Sequence, residues 1–572
     1  MYRRYWRYAG FWDLLTLSLA VLTGTVILVA VMVTARLTGV IPALARSVFP
    51  LDFAFCLIFT GGIRASIRAI LESRQGTKGK VGTPPRRVLI AGAGDAGAMV
   101  AREMQKNAHL GMHPIAFLDD DPAKVGHQIY GVTVVGRLDA LNELASDLRI
   151  DEVVIALPKV GGAPVRLVVD QCAALNIPSR VMPGVFELLD GKVSVSRLRT
   201  VDIADLLRRP LIQAQANSPD YLQGATVLIT GAGGSIGSEL ARQVAYARPA
   251  RLVVVGHGEN SIFDIVAELR QRFPTVNVEA VIADVRDRDR VLRVFRNASP
   301  DIVFHAAAHK HVPLMEDNAA EAVTNNIGGT RNVVDAAVAV GVECFVMVST
   351  DKAAAPSNMM GASKRVAELI VQRAARKHGR AFVVVRFGNV LGSRGSVVPI
   401  FRGQIDRGGP VTVTHPEVRR YFMTIPEAVH LILQAGGIGQ GSELFVLDMG
   451  EPVLLREMAA DMIRLSGFEE SEVPIVFTGL RPGEKLNEIL WEDGASVEPT
   501  ARGDIRRVFE ASRCEDGPLD DYVKRLIEAA ERDDHDRIAH LFRECIPSAS
   551  VASKGKGPGG TTPTLVVKQP GA

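Results

Sequence analysis

Short apolar runs alternate with longer stretches in which apolar residues recur every third or fourth position along most of this chain. Two of the short runs lie at Val88 to Ala91 and at Phe345 to Val348. Runs of this length, each joined to a turn and a helical pattern, are typical of buried parallel strands connected by helices. The pattern therefore predicts an α/β fold from about residue 84 to about residue 545.

The longest apolar run lies near the start, where Leu14 to Ala35 contains no charged residue. A helix of this length crosses a hydrocarbon core of about 30 Å, whereas a signal peptide has a shorter apolar region. A second run over 47–63, broken by Pro50 and Asp52, predicts either a second crossing or an interfacial segment. Residues 1–83 are therefore expected to form a membrane anchor and linker. Because basic residues flank both runs, the rest of the chain is expected in the cytoplasm.

Composition restricts the class of protein. The 572 residues carry a net charge of +3 and their basic side chains are spread out, so nucleic-acid binding has no support. The five cysteines show no paired spacing, which fits a reducing compartment and argues against zinc or a disulfide framework. No metal site is expected. Residues 546–572 are polar and glycine-rich, which predicts a disordered tail.

A glycine motif follows the first short apolar run. Gly92, Gly94 and Gly97 fit G-x-G-x-x-G, and Asp119 ends the next predicted strand at a distance suited to a ribose hydroxyl. The pattern predicts a first Rossmann-like nucleotide-binding domain over 84–205. The alternative is a scaffold that has kept its glycines without binding a nucleotide.

A second motif opens the segment 206–545, where Gly231, Gly234 and Gly237 form T-G-x-x-G-x-x-G. Its glycines allow the backbone to approach a pyrophosphate at a helix N-terminus. The segment resembles the extended short-chain dehydrogenase/reductase superfamily. That resemblance implies a second, catalytic Rossmann-like domain that binds a nicotinamide dinucleotide. Further residues that match the superfamily are Asp284 and Val285, expected at the adenine, the small residues of His305 to His309, and Asn326.

One departure leaves the choice of dinucleotide open. Members that prefer NAD have an acid after the strand that ends here at Val255, and this chain has Gly256, His257 and Gly258. Loss of the carboxylate removes repulsion against a 2′-phosphate without supplying an arginine to bind it. NAD is expected, tightly bound and recycled, and NADP is not excluded.

The proton chemistry also departs from the superfamily pattern. A tyrosine and a lysine four residues apart are usual on the helix, and here the pair is Met360 and Lys364. A thioether cannot transfer a proton, so either the site is inactive or other residues act. Thr350, Asp351 and Lys352 lie together at the end of the preceding strand. An adjacent acid and base suit an elimination, for which we expect the pKa of Lys352 to be lowered.

The stretch TDKAAAPSNMMGASKR looks like the membrane-anchored nucleotide-sugar 4,6-dehydratases of bacterial capsule, O-antigen and protein-glycan synthesis. The resemblance implies Asp351 as general acid at O6, Lys352 as general base at C5 and Thr350 as hydrogen-bonding partner of the C4 oxygen. Lys364 would hold the nicotinamide ribose. Family members commonly have four membrane helices, so this chain has either lost a first hairpin or starts downstream of it.

Three residues of later motifs are expected at the substrate. By the same resemblance, Asn389 would meet the diphosphate, while Arg420 and Arg481 would bind diphosphate or uridine ribose. The alternative for each arginine is a structural ion pair.

The expected activity is conversion of UDP-N-acetylglucosamine to a UDP-4-keto-6-deoxy-N-acetylhexosamine. The expected location is the bacterial inner membrane, with the catalytic domains in the cytoplasm, and the superfamily implies a homo-oligomer. One alternative is a nucleotide-sugar 4-epimerase, which Met360 and the Asp351–Lys352 pair disfavour. Another is a catalytically silent membrane scaffold that binds nucleotide sugars.

Overall fold

The N-terminal helix α1 spans Phe11–Leu37, and its side chains are described only between residues 21 and 34. Within the residues that the structure describes, no helix is long and apolar enough to cross a membrane. The span predicted over 14–35 stays a prediction, and most of 47–63 lies outside the described residues. The computed structural model describes residues 11–38, 51, 53–55, 59, 85–107, 111–158, 160–182, 199–207, 219–510 and 518–553.

A first sheet, mainly parallel, has the strand order β3-β4-β2-β1-β5-β6-β7. Its central strand β1 pairs in parallel with β2 and β5, and Val88 to Ala91 are fully buried, as a continuous apolar run between two helical layers requires. The strands are β1 (Arg86–Ala91), β2 (Met112–Leu118), β3 (Gln128–Ile129), β4 (Val132–Gly136), β5 (Glu152–Ile155), β6 (Ser179–Val181) and β7 (Arg199–Thr200). The helices are α2 (Asp95–Lys106), α3 (Leu141–Leu148), α4 (Gly162–Ala174) and α5 (Ile203–Leu206).

A second sheet has the order β10-β9-β8-β11-β12-β13-β18-β22-β21, parallel up to β18 and antiparallel beyond it. The order reverses between β8 and β11, which creates the crevice where α/β sheets bind ligands. The strands are β8 (Thr226–Thr230), β9 (Arg251–Gly256), β10 (Val278–Ile282), β11 (Ile302–His305), β12 (Cys344–Val348), β13 (Ala381–Arg386), β18 (Leu444–Leu447), β21 (Ser496–Pro499) and β22 (Ile505–Phe509). The helices around this sheet are α6 (Ser235–Tyr246), α7 (Glu259–Arg272), α8 (Arg288–Ala298), α9 (Val312–Asp317), α10 (Ala319–Glu321), a π-helical segment (Ala322–Gly329), α11 (Thr330–Val340), α12 (Met359–His378) and α14 (Ile425–Ile438).

Short elements form a small lobe beside the carboxyl ends of this second sheet. They pair as three two-stranded sheets, β14-β17, β15-β20 and β16-β19. The strands are β14 (Asn389–Val390), β15 (Val411–Val413), β16 (Arg419–Arg420), β17 (Phe422–Met423), β19 (Val453–Leu454) and β20 (Ile475–Phe477), and the helices are α13 (Val397–Ile405) and α15 (Leu455–Leu465).

The C-terminal helices α16 (Leu519–Glu531) and α17 (His535–Cys545) pack against α12 and the π-helical segment. The chain after them is packed up to residue 553, contrary to the predicted disorder from 546. Ile546 and Val551 are buried, and the amide of Ser550 donates to the carbonyl of Pro356 at 2.9 Å. Apolar side chains spaced along a polar segment account for this, and composition averaged over the whole tail hides them.

Candidate functional site

The turn between β8 and α6 is built so that only glycine fits. Gly231 has φ +71°, and a Cβ there would lie 2.6 Å from the amide nitrogen of Ala307. A Cβ at Gly237 would lie 2.1 Å from the carbonyl oxygen of Gly231. Gly234 precedes the first turn of α6. The backbone at Gly231 and Gly237 therefore packs closely at the N-terminus of α6 beside β11, in the glycine turn that brings a helix N-terminus up to a pyrophosphate.

Asp284 and Val285 follow β10 at the far end of this crevice. Arg286 donates to Asp284 Oδ2 from Nη2 at 2.7 Å and from its own amide to Oδ1 at 2.9 Å. These bonds hold the pKa of Asp284 below its ordinary value. Val285 is buried against Gly329, where an added Cβ would lie 2.6 Å from Val285 Cγ2. Sequence reasoning missed Arg286, which engages the carboxylate expected at the adenine.

The acid–base residues lie directly after β12. Asp351 is fully buried, and its Oδ1 accepts hydrogen bonds from Thr350 Oγ1 and from Lys352 Nζ, both at 2.9 Å. Among the described residues, none donates a hydrogen bond to Asp351 Oδ2. Lys352 Nζ also donates to Asn389 Oδ1 at 3.0 Å. The structure thus brings three consecutive residues of one motif together with Asn389 of a later motif, and it places Asn389 against Lys352.

The structure contradicts the expectation that the pKa of Lys352 is lowered. Burial alone would lower it, but the charges of Asp351 and Glu488 together with the hydrogen bond to Asp351 raise the pKa of Lys352 above its ordinary value. Lys364 shows the opposite balance, because burial lowers its pKa to about 8. Lys352 is therefore an ammonium in its ion pair with Asp351.

Met360 is a packing residue. It is 2% exposed and lies in a cluster with Met315, Ala322 and Val312. One turn further along α12, Lys364 Nζ donates to the carbonyl of Val348 at 2.7 Å. The lysine of the usual pair is thus retained beside the strand end, while the position of the tyrosine contributes only apolar contact.

Asn326 connects the segment after β11 to α12. Its Oδ1 accepts from the amide of His309 at 2.8 Å, and its Nδ2 donates to the carbonyl of His309 at 3.0 Å and to Ser363 Oγ at 2.9 Å. Asn326 is 1% exposed. This buried amide fixes the helix that carries Lys364 relative to the crevice.

In the small lobe, Arg420 makes contacts within the protein. It is 5% exposed, and it donates from Nη2 to Glu484 Oε1 at 2.8 Å and from Nη1 to the carbonyl of Leu486 at 3.0 Å. This geometry is that of the structural ion pair. Arg481, in contrast, has an exposed side chain, and its amide donates to Glu484 Oε2 at 3.2 Å.

Two charged residues of the GEKLNE stretch belong to the site and were missed. Lys485 Nζ donates to the carbonyls of Ala354 and Ala355 at 3.0 and 2.6 Å, which holds the small lobe against the loop after Lys352. Glu488 is 8% exposed, and burial raises its pKa. No local signal could have revealed them, because they meet the site only through the packing of the small lobe.

The glycine motif of the first sheet has a different surrounding. Asp119 Oδ2 accepts from the amide of Ala93 at 2.7 Å, and Lys124 Nζ lies 3.1 Å from both carboxylate oxygens. Burial opposes the charge of Asp119, but these bonds lower its pKa. The carboxylate predicted to bind a ribose hydroxyl is therefore engaged by the protein itself. Gly92, with φ +107°, and Gly97 are both required by close backbone contacts.

Family models match both parts of the chain. A model described as "Polysaccharide biosynthesis protein" matches residues 227–510, and one described as "CoA-binding domain" matches residues 1–183. The chain is 42% identical to the probable polysaccharide biosynthesis protein EpsC of Bacillus subtilis over 86% of this chain and 81% of the relative. It is 41% identical to the capsular polysaccharide biosynthesis protein CapD of Staphylococcus aureus over 93% of this chain and 87% of the relative.

More distant relatives have names that state two different activities. A UDP-N-acetylglucosamine 4,6-dehydratase (inverting) of Campylobacter jejuni is 33% identical over 46% of this chain and 76% of its own length. UDP-glucose 4-epimerases of Rickettsia species match at 33–34% identity over the same share of this chain.

Proposed function

The chain belongs to the polysaccharide biosynthesis protein family of nucleotide-sugar-modifying short-chain dehydrogenase/reductases, and from that premise we propose that it is a UDP-N-acetylglucosamine 4,6-dehydratase. The observation that carries the proposal is the buried Asp351–Lys352 ion pair beside the cofactor crevice, combined with apolar packing at Met360. Oxidation at C4 is common to a 4,6-dehydratase and a 4-epimerase, but only the dehydratase needs a base at C5 and an acid at O6.

The crevice fits a nicotinamide dinucleotide. The turn at Gly231, Gly234 and Gly237 would hold its pyrophosphate, Asp284 and Val285 its adenine, and Lys364 its nicotinamide ribose. When bound, the nicotinamide supplies the redox chemistry by accepting hydride from C4 of the sugar and returning it to C6. NAD is the dinucleotide we propose, and mass spectrometry of the cofactor released on denaturation distinguishes it from NADP.

The Asp351–Lys352 pair accounts for the elimination. The proton of Lys352 Nζ lies in a hydrogen bond to Asp351 Oδ1 at 2.9 Å. Its transfer to Asp351 would convert the ion pair into a neutral amine and a carboxylic acid. The amine can then remove the C5 proton that a ketone at C4 acidifies, while the acid protonates O6 and the C6–O bond breaks to release water. This transfer would allow Lys352 to act as a base although its pKa is raised in the resting ion pair.

Thr350 and Asn389 position these groups. Thr350 Oγ1 donates to Asp351 Oδ1, so its oxygen lone pairs can accept a hydrogen bond from the C4 hydroxyl. The proton that this hydroxyl loses on oxidation would pass through Thr350 to solvent, and solvent would return one proton to the Asp351–Lys352 pair after Lys352 has reprotonated C5. Asn389 holds Lys352 Nζ from the small-lobe side. Arg481 is the exposed guanidinium that we propose for the diphosphate.

The test is incubation of the full chain with UDP-N-acetylglucosamine in heavy water, followed by mass spectrometry and proton NMR of the nucleotide sugar. A product lighter by one water, with a C6 methyl group and deuterium at C5, is the expected result. A sugar returned with C4 inverted and no deuterium would replace the proposal with the 4-epimerase. An unchanged sugar on a protein that holds its dinucleotide would favour the silent scaffold.

We also propose that the N-terminal region attaches the protein to the inner membrane, with the catalytic domains in the cytoplasm. The uncharged run from Leu14 to Ala35 within α1 supports this, as do exposed apolar side chains of the helix, which include Val26, Ile27 and Val31. Fractionation of cells expressing the full chain tests it, because the protein should stay with the membrane pellet in high salt and enter detergent. The homo-oligomer stays a prediction.

A further inference from the structure

A cavity of about 410 Å³ lies between the first sheet and the small lobe. From the first sheet it is lined by Arg86, Glu152 and Arg180, which stand at the amino ends of β1, β5 and β6. From the small lobe it is lined by Asp461 and Arg464 of α15. The cavity is therefore at the opposite end of the first sheet from the glycine turn at Gly92, which follows the carboxyl end of β1.

The walls of this cavity are held together by packing. Val169 and Leu206 of the first domain share one apolar core with Met462 of α15. Across the same boundary, Arg166 Nη2 lies 2.7 Å from Asp461 Oδ2. The cavity thus lies within a packed boundary between domains, where small-molecule sites of about 300–1,000 Å³ are common.

Two carboxylates are buried in its walls. Glu152 is 1% exposed and lies 2.9 Å from Arg86 Nη1 and from Arg180 Nε, while Asp461 is 2% exposed. Glu152 Oε1 and Asp461 Oδ2 are each within ion-pair distance of an arginine, yet neither accepts an aligned hydrogen bond from any described residue. Oxygens in this condition can accept hydrogen bonds from hydroxyl groups of a ligand.

Three arginines supply the complementary donors. The side chains of Arg86, Arg180 and Arg464 are 53%, 41% and 55% exposed. A guanidinium has five N–H donors, and the ion pairs of these arginines use only some of them. Guanidinium groups bind phosphate oxygens through two parallel hydrogen bonds. The cavity therefore offers donors for a phosphate and acceptors for hydroxyl groups in one space.

We propose that this cavity is a second small-molecule site, which binds a phosphorylated sugar through its phosphate at the arginines and through its hydroxyl groups at Glu152 and Asp461. A sugar 1-phosphate and a nucleoside monophosphate share this chemistry, and the cavity volume accommodates either. The proposal is independent of the catalytic activity, because no residue of the cavity belongs to the acid–base cluster.

The experiment is isothermal titration calorimetry of the full chain with glucose 1-phosphate, uridine monophosphate and inorganic phosphate, each in turn. For wild type we expect binding of glucose 1-phosphate or of the nucleotide that is tighter than binding of phosphate. Arg464→Met and Arg180→Met should each weaken that binding by about tenfold or more, because each removes charged hydrogen bonds. Arg270→Met, at an exposed arginine of α7 outside the cavity, is the matched control and should leave the affinity unchanged.

Each other result overturns the proposal. If none of the three compounds binds, the cavity is not a site for phosphorylated sugars. Equal affinities for phosphate and the sugar phosphate would reduce it to an anion site. Binding that survives both cavity variants lies elsewhere on the protein. Arg464 is half exposed, and Asp461 keeps Arg166 without it, so the folded state of Arg464→Met can be confirmed by circular dichroism before titration.

Discussion

At the scale of single residues, the site concentrates charge where water is excluded. Asp351 is fully buried, with one oxygen bonded to Thr350 and Lys352 and the other without a donor among the described residues. An unpaired buried oxygen costs about 1–3 kcal/mol of stability. Such a cost is usual where a group must meet a substrate atom, and in the proposed reaction that atom is O6 of the sugar.

Replacement of Asp351 by asparagine tests this assignment. Asp351→Asn keeps the shape of the side chain but removes the proton donor for O6, so we expect kcat to fall by about a hundredfold or more. Oxidation at C4 does not need this proton, and reduced nicotinamide should therefore accumulate, which its absorbance reports. Asp335→Asn, at an exposed aspartate of α11, is the control. Wild-type kcat in Asp351→Asn would remove the residue from the mechanism.

His305 makes the fold sensitive to acid. It is 1% exposed between Thr230 and Thr330, and burial followed by the charge of Lys364 lowers its pKa to about 3. As the pH falls below 6.5, the unfolded chain gains a proton that the folded protein does not accept, so stability is lost between pH 6.5 and 3.

The contribution of His305 can be measured from how the free energy of unfolding changes with pH. Between about pH 6.5 and about pH 5, the free energy of unfolding of the wild type should fall by about 1.5 kcal/mol more than that of His305→Gln. Urea denaturation at both pH values measures the difference, and His378→Gln, at an exposed histidine, is the control. Parallel pH slopes for wild type and His305→Gln would show that His305 is protonated in the folded state.

At the scale of elements, the two glycine turns have similar backbones and different surroundings. The turn before α6 faces the crevice and the acid–base cluster, whereas the turn before α2 faces the engaged carboxylate of Asp119. Within the turn before α2, the glycines are not equivalent. A Cβ at Gly97 would lie 1.9 Å from the carbonyl oxygen of Gly92, while a Cβ at Gly94 would meet nothing within 4 Å.

We therefore expect opposite results for two alanine substitutions in that turn. Gly97→Ala should lower the free energy of unfolding by about 2 kcal/mol or more, because α2 must move away from β1. Gly94 has φ −89° and open space around it, so Gly94→Ala should change the free energy of unfolding by no more than about 0.5 kcal/mol. Thermal unfolding followed by circular dichroism compares them. Equal destabilisation by both substitutions would contradict the expected difference between a crowded position at Gly97 and an open one at Gly94.

Much of the fold follows from local sequence. Continuous apolar runs identify β1 and β12 to within two residues, because a strand covered on both faces has no polar positions. Thr350, Asp351 and Lys352 come together because they are consecutive in the chain, and Lys364 contacts the end of the same strand through the carbonyl of Val348. Residues from distant segments could not be placed this way. Glu488 adds to the rise that Asp351 causes in the pKa of Lys352, and it reaches the site only through the small lobe.

At the scale of the whole molecule, the first domain packs on the small lobe of the catalytic domain. Side chains of α13 and α15 belong to their shared apolar core, and Asp461 of α15 forms an ion pair with Arg166. Sequence motifs predicted two tandem nucleotide folds and gave no indication of this boundary, because neither half of an interface has a periodic signature of its own.

In the small lobe, β19 is joined to α15 without an intervening loop. β19 ends at Leu454, paired with Arg419, and α15 begins at Leu455 and runs to the wall of the cavity. Since β19 pairs with the strand that carries Arg420, and Arg420 is bonded to Glu484 next to Lys485 of the candidate site, we expect a ligand that tilts α15 to shift this edge of the candidate site. Thermodynamic reciprocity then requires that each ligand change the affinity of the other by the same factor. We expect glucose 1-phosphate to change the affinity of the protein for UDP-N-acetylglucosamine by a measurable factor, and Arg464→Met to bring that factor to one. The first domain would then report the supply of sugar phosphate to the enzyme that consumes its activated form.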